Sequence, residues 1–286
     1  MKERRRYVVP LPGGRVLALG ERTLVMGVLN VTPDSFSDGG VRFDAGRAIE
    51  DGLRMIEDGA DVLDVGGEST RPGAEPLPAA EELRRVLPVV ERLATSGVPI
   101  SIDTYKADVA RAATQAGAAI VNDVSGLLFD PALGAAVAEA GAAVVLMHNR
   151  GRSREMYRRA EYGDVPGEIA QELTAAIARA TGAGVSRDAT IVDPGIGFAK
   201  QAAHSYTALA HLGDLARLER PILSGPSRKS FLVEAIGPTP PAERDWGTAA
   251  AVTASILFGA HIVRVHSVAQ MVAVVRVADR IRQAGL

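Results

Sequence analysis

Cysteine is absent from the 286 residues, which excludes disulfides, thiolate metal sites and a cysteine nucleophile. A basic surplus is absent too. Thirty-two Lys and Arg stand against 34 Asp and Glu, a net charge of −2, so there is no electrostatic footprint for nucleic acid. Long apolar runs are missing. The longest, Thr248 to Ala260, contains Thr and Ser and is too short to span a bilayer. The start, Met1-Lys2-Glu3-Arg4-Arg5-Arg6, is basic, but Tyr7-Val8-Val9-Pro10 after it is too short for a signal peptide's apolar core. The expectation is a cytoplasmic enzyme or binding protein with no membrane partner. Lysine is scarce, at Lys2, Lys106, Lys200 and Lys229 only. Where arginine serves the solvated faces, Lys200 and Lys229 gain weight as functional groups.

What is present is ordinary for a globular chain: 47% hydrophobic and 23% charged residues. Tyr7 to Gly20 reads as a hairpin, with Pro12-Gly13-Gly14 as the turn between two apolar segments. An alternation then begins. Short apolar runs at Leu24–Leu29, Val62–Gly67, Pro99–Ile102, Ala119–Val121, Ala143–Leu146, Thr190–Val192, Pro221–Ser224 and Ile262–His266 read as strands. Helical patterns lie between them, at Asp44–Ala60, Ala79–Ser96, Lys106–Ala116, Pro131–Ala140, Glu168–Ala180, Tyr206–Leu218 and Thr248–Phe258, with Val268–Gln283 last. Asp44 stands where it would cap the first. Strands apolar on both faces imply a parallel sheet. Eight strand–helix units at this length imply an α/β fold, a closed (β/α)₈ barrel of the TIM type; the alternative is a doubly wound open sheet. The expected organisation is an N-terminal hairpin over 1–22 and one barrel domain over 23–286.

A barrel carries its chemistry at the carboxyl ends of its strands. Those ends here hold Asn30, Asp103, Asn122, Asp193, the Ser227-Arg228-Lys229 loop, Arg264 and His266. Asp193-Pro194-Gly195-Ile196-Gly197-Phe198-Ala199-Lys200 is the clearest case: a buried strand ends in a carboxylate and runs into a loop whose glycines permit close approach to a ligand. Asp103, Asn122 and Asp193 offer two carboxylates and an amide, and a carboxylate can accept paired hydrogen bonds from an amidine-like edge. With Lys229 as a cation, the set suits a flat 2-amino-4-oxo heterocycle such as guanine or pterin. Asn30, Arg264 and His266, on the adjoining first and last strands, suit a phosphate-type anion. Asn30 would also suit a Mg²⁺ that keeps most of its waters. These residues define a ligand class and not a reaction.

Seven segments carry a family resemblance. Asn30-Val31-Thr32-Pro33-Asp34-Ser35-Phe36-Ser37-Asp38-Gly39-Gly40 and Gly66-Gly67-Glu68-Ser69-Thr70-Arg71-Pro72-Gly73 are the long ones. Ser101-Ile102-Asp103-Thr104, Val121-Asn122-Asp123-Val124-Ser125-Gly126, Asp193 to Phe198, Ser227-Arg228-Lys229-Ser230 and Arg264-Val265-His266 follow in order. Together they resemble the dihydropteroate synthases, from Leu24 to the last helix. The resemblance implies condensation of 6-hydroxymethyl-7,8-dihydropterin diphosphate with 4-aminobenzoate, giving 7,8-dihydropteroate and pyrophosphate in folate synthesis. It implies pterin binding by Asp103, Asn122, Asp193, Lys229 and Met147. It implies diphosphate binding by Asn30, Arg264, His266 and Thr70, with Mg²⁺ at Asn30. It implies 4-aminobenzoate binding by Thr70, Arg71, Pro72, Phe198, Ser227 and Lys229. Catalytic weight then falls on Asp103, Lys229, Arg264 and Asn30, and the family points to a homodimer.

Two alternatives share the barrel: a methyltetrahydrofolate-dependent methyltransferase acting with a corrinoid protein, and a noncatalytic pterin-binding barrel. The first needs no diphosphate site. His204 and His211 read as packing or surface residues, His148 as mouth or structure, and Trp246 as a packing anchor. Residues 155–165 match no motif. The last two helical segments are apolar over more than one face, and that surplus suggests a partner surface.

Overall fold

The apolar runs of the sequence become strands. The computed structural model describes residues 3–32, 45–69, 73–152 and 156–285. Tyr7–Pro10 (β1) and Val16–Leu19 (β2) pair antiparallel around one 3₁₀ turn at Pro12–Gly14. Eight parallel strands follow: Leu24–Asn30 (β3), Val62–Gly66 (β4), Ile100–Asp103 (β5), Ile120–Asp123 (β6), Ala143–Met147 (β7), Thr190–Asp193 (β8), Leu223–Ser224 (β9) and Ile262–Val265 (β10). Their order around the sheet is β8-β7-β6-β5-β4-β3-β10-β9. A parallel bridge from Val192 to Ile222 joins β8 to β9 and closes the ring. This is the (β/α)₈ barrel expected from the sequence.

Side chains alternate between two apolar cores, as the period of a strand requires. Met26, Val62, Ile120, Ala143, Val145, Ile191, Leu223 and Ile262 point inward. They meet Val9, Leu11, Leu17 and Leu19 of the hairpin, which therefore plugs the amino-terminal end of the barrel. Arg4 pins this plug from behind, with an ion pair to Asp279 at 2.8 Å and a hydrogen bond to the Ala260 carbonyl at 2.6 Å. Leu63, Val65, Ile102, Val121, Val144, Val192 and Val263 point outward into the helical layer. With the lower interior filled by hydrocarbon, polar side chains concentrate at the upper end.

The helices are Ala45–Glu57 (α1), Ala79–Leu93 (α2), Ala107–Gln115 (α3), Leu133–Ala140 (α4), Val165–Gly182 (α5), Ala202–Ala210 (α6), Val233–Ile236 (α7), Asp245–Leu257 (α8) and Val268–Ala284 (α9). α5 begins early, at Val165, because Asp164 accepts from the Gly167 amide and a proline stands in its first turn. The Asp44 cap expected for α1 lies outside the described residues.

Two expectations need correction. The helix placed at Tyr206–Leu218 is instead α6 followed by a 3₁₀ segment, Leu212–Leu218. Leu212, Leu215 and Leu218 are all buried; a spacing of three keeps them on one face of a three-residue turn, where a 3.6-residue turn would rotate them away. Trp246 is no packing anchor. It is 89% exposed at the start of α8.

Candidate active site at the carboxyl end of the barrel

Register gathers the site before any side chain is considered. Asn30 of β3 lies beside Gly66 of β4, Gly66 beside Asp103 of β5, and Asp103 beside Asn122 of β6. Met147 of β7 lies beside Asp193 of β8. Arg264 sits lower, paired with Met26, and reaches the mouth on its long side chain. A cavity of about 700 Å³ opens there, lined by Asn30, Asp103, Phe198, Ser227, Lys229, Arg264 and His266 among others. Seven residues singled out from the sequence thus share one wall. Asn122, Asp193 and Met147 are buried beneath it and do not themselves line the cavity. Thr70, Arg71 and Pro72 lie outside the described residues.

Charge at the floor is tightly coupled. Arg264 bridges two carboxylates: Nε donates to Asp64 Oδ2 at 2.6 Å and Nη2 to Asp103 Oδ2 at 2.8 Å. Asn122 Nδ2 also donates to Asp64 Oδ2, at 2.8 Å. Burial pushes the Asp103 carboxyl up to about 7, against the pull of Arg264 and with help from the like charge of Asp64. Burial drives the Arg264 guanidinium down, but Asp64 and Asp103 outweigh it and leave its affinity for the proton raised. Burial raises the Asp193 carboxyl as well, with Lys229 opposing. One Asp193 oxygen is already engaged, accepting from the Gly195 amide at 2.7 Å.

The loop after β8 and the loop after β9 are built around Lys229. Gly195 has φ +67, and a Cβ there would stand 2.0 Å from the His148 carbonyl oxygen, so only glycine fits. Gly197, at φ +79, gives the Lys229 stem room; a Cβ would come within 3.0 Å of its Cδ. The ammonium donates to the Ile196 carbonyl and sits 4.4 Å from the Phe198 ring centre, a cation–π distance. Burial lowers the Lys229 ammonium to about 8, against the attraction of Asp193 and with repulsion from Arg264. Ser227 holds His266, with Oγ 2.9 Å from Nδ1. Arg228, between them, turns aside to a bidentate pair with Asp245 at 2.8 and 2.9 Å and anchors the loop to α8.

Further charged groups support the mouth from behind, and of these Asp64 carries no motif of its own. Asp64 is fully buried in the middle of β4; its signal was a charge inside an otherwise apolar strand, which is costly unless partnered. Lys200 lies behind the wall and is buried. Its Nζ is 2.8 Å from His148 Nδ1 and donates to the Phe198 carbonyl at 3.1 Å, so its scarcity marked a loop support and not a mouth residue. Desolvation holds the Lys200 ammonium well below its ordinary range. His148, left between mouth and structure, belongs to this support; burial, then Lys200, lowers it to about 4, and Glu172 stands 3.2 Å from Nε2. Lys106 pairs with Glu68 and Glu82, and Tyr105 donates to Glu68 at 2.8 Å, which fixes the turn at Gly67-Glu68.

Comparison with known proteins places the fold in a family. The family model described as pterin binding enzyme matches residues 26–266. The dihydropteroate synthase of Synechocystis is 47% identical over 272 residues, covering 94% of this chain and 94% of its own. The dihydropteroate synthase of Xanthomonas albilineans, solved with 4-aminobenzoic acid, superposes with a TM-score of 0.88 at 43% identity, over 96% of this chain and 98% of that one. Solved with 7,8-dihydropteroate, the same organism's enzyme gives 0.85 at 41% identity, over 96% and 99%.

Proposed function

The chain belongs to the pterin binding enzyme family, among its dihydropteroate synthases, and from that premise we propose how the barrel mouth divides between its substrates. It is a transferase of folate biosynthesis: it condenses 6-hydroxymethyl-7,8-dihydropterin diphosphate with 4-aminobenzoate, giving 7,8-dihydropteroate and pyrophosphate. The corrinoid methyltransferase alternative gives way to this activity.

In our assignment the pterin lies on Asp103, Asn122, Asp193 and Lys229 with Met147 as an apolar wall. The diphosphate faces Asn30, Arg264, His266 and Thr70. The arylamine enters along Phe198, Ser227, Lys229 and the Thr70-Arg71-Pro72 segment. The supporting observation is the ion pair between Asp103 and Arg264. It places an anion and a cation side by side in a site that must stabilise opposite charges on two parts of one substrate.

The chemistry sets what these residues do. The methylene carbon of the dihydropterin is bonded to a good leaving group and conjugated to an electron-rich ring. As the C–O bond to diphosphate breaks, positive charge spreads over the pterin and negative charge grows on the departing oxygen. Asp103 stabilises the first; Arg264 and His266 stabilise the second. The lone pair of the arylamine then forms the C–N bond and its proton leaves to solvent. No side chain forms a covalent bond to the pterin.

Asn30 is the protein oxygen we assign to Mg²⁺. Among the described residues no group of three or more His, Asp or Glu side chains is placed to hold a metal. Asn30 lines the cavity together with Arg264 and His266, and its amide oxygen would hold an ion that keeps most of its waters. When bound, the ion supplies charge neutralisation for the leaving diphosphate. Asn30→Ala is expected to raise the Mg²⁺ concentration for half-maximal activity by about tenfold, with little change in 4-aminobenzoate KM; an unchanged Mg²⁺ requirement would place the ion elsewhere. The whole reading is tested by pyrophosphate release from the dihydropterin diphosphate, with and without 4-aminobenzoate. Release that requires the arylamine and yields dihydropteroate is expected. Stoichiometric binding without turnover would instead make this a noncatalytic barrel.

We also propose a homodimer through the last two long helices. Trp246 of α8, Phe258 just past its end, and Val277 and Ile281 of α9 are all exposed, at 89, 44, 60 and 49%, and the two helices pack against one another. A second copy burying this face explains the apolar surplus. Sedimentation should give a dimer, and Val277→Asp with Trp246→Asp a folded monomer; a monomeric wild type at assay concentration refutes it. Among the described residues no helix is long and apolar enough to cross a membrane. The substrate's diphosphate does not cross a bilayer unaided, so we place the enzyme in the cytoplasm with its substrate.

A further inference from the structure

Asp64 touches both halves of the site and has no part in the assignment above. It stands one inward-facing position below Gly66 on β4, paired across the sheet with Val28 and Ser101. Its side chain is fully buried. One oxygen, Oδ2, accepts from Arg264 Nε at 2.6 Å and from Asn122 Nδ2 at 2.8 Å. Oδ1 has no hydrogen-bond partner among the described residues. Gly66 puts no side chain above it, so β4 delivers its functional group from one layer down.

An ionised carboxylate only accepts hydrogen bonds. Asn122 must therefore turn its NH₂ toward Asp64, and its Oδ1 is left as an acceptor for an N–H of a ligand. Arg264 is held by two carboxylates in the free enzyme, but they are not equivalent. Asp103 lines the cavity and exchanges partners when a pterin arrives. Asp64 is fully buried, one layer below Gly66, and in our reading keeps Nε while the ligand is bound. The guanidinium then pivots about one fixed bond, and Nη2 is freed for the diphosphate.

We propose that Asp64 is a positioning residue for both the pterin and the diphosphate subsites, fixing the amide orientation of Asn122 and the place of Arg264. The proposal rests on the subsite assignment given under the proposed function. It predicts a sign that simple electrostatics does not. Removing a negative charge from beneath an anion site should by itself tighten anion binding; loss of positioning should weaken it.

The experiment is calorimetry on the full-length enzyme, with pyrophosphate plus Mg²⁺ as one probe and 6-hydroxymethyl-7,8-dihydropterin as the other. Arg264→Gln should weaken only pyrophosphate, and Asn122→Ala only the dihydropterin; failure of either control overturns the subsite assignment. Asp64→Asn should weaken both ligands by about tenfold each, and in the Arg264→Gln background its effect on pyrophosphate should shrink to about twofold or less. If the controls hold while Asp64→Asn binds both probes as the wild type does, or tightens pyrophosphate, the positioning role is overturned. Should Asp64→Asn fail to fold, Asp103→Asn decides. Pyrophosphate affinity should then stay within about threefold of wild type, because Asp64 still holds Arg264; a loss as large as that of Arg264→Gln assigns the positioning to Asp103 and overturns the proposal.

Discussion

Asp103→Asn is expected to lower kcat by about 10²–10³, the effect of removing one preorganised charge from a transition state, and to weaken binding of the dihydropterin diphosphate by less than about tenfold. The asymmetry follows from where charge develops. In the ground state the pterin ring is neutral and Asn122, Asp193 and Lys229 remain to hold it. An amide replaces the carboxylate with nearly the same shape, so much of the hydrogen bonding survives. In the transition state the ring carries positive charge, which the amide cannot answer, while Asp193 is already engaged by the Gly195 amide and faced by Lys229. Asp103 is a costly group to keep ionised: burial pushes it up to about 7, with Asp64 adding to the effect. That cost has a use, since a substrate that becomes cationic supplies the counter-charge the free site lacks. Steady-state kinetics together with a binding isotherm measure both quantities. Equal losses in kcat and affinity would reduce Asp103 to a binding residue.

The fold was legible because its rule is simple. Strands buried on both faces read as continuous apolar runs, and eight of them separated by helical patterns leave few architectures. The strand ends were legible for the same reason: a carboxylate or amide after an apolar run marks where the chain leaves the core. Strand periodicity also separates neighbours. Asn122 faces inward to Asp64, whereas Asp123 faces the helical layer and caps its own loop through the Ser125 and Leu127 amides.

What stayed hidden depends on contacts between distant strands. Asp64 sits two residues before its strand ends, and nothing local shows that Arg264, 200 positions away, will meet it. Lys200 was conspicuous by scarcity, yet only the fold shows that it turns back to His148 and the Phe198 carbonyl. Aromatic bulk alone suggests burial for Trp246, but its place on α8 leaves it outward, on the face of the proposed dimer.

Lys229 should give the second large effect, and one that pH can trace. Among the described residues it alone is assigned to both substrates. Lys229→Met is expected to lower kcat/KM by about 10²–10³, removing a charge from a water-poor site where it acts at close range. Lys229→Arg should not rescue. The stem crosses Gly197 with little room to spare, and a planar guanidinium replaces a compact ammonium. In the wild type, burial acts on two groups with opposite signs. It raises the Asp103 carboxyl to about 7 and lowers the Lys229 ammonium to about 8. Below the first value Asp103 gains a proton and loses its charge; above the second Lys229 loses its proton and its charge. The profile of kcat/KM, which reports the free enzyme, should therefore be a narrow bell with its limbs near those values. Lys229→Arg stays charged throughout and should lose the alkaline limb while keeping the acidic one. A wild-type profile that is flat from pH 6 to 9, or an alkaline limb that survives in Lys229→Arg, would show that Lys229 is not the group whose ionisation the reaction requires.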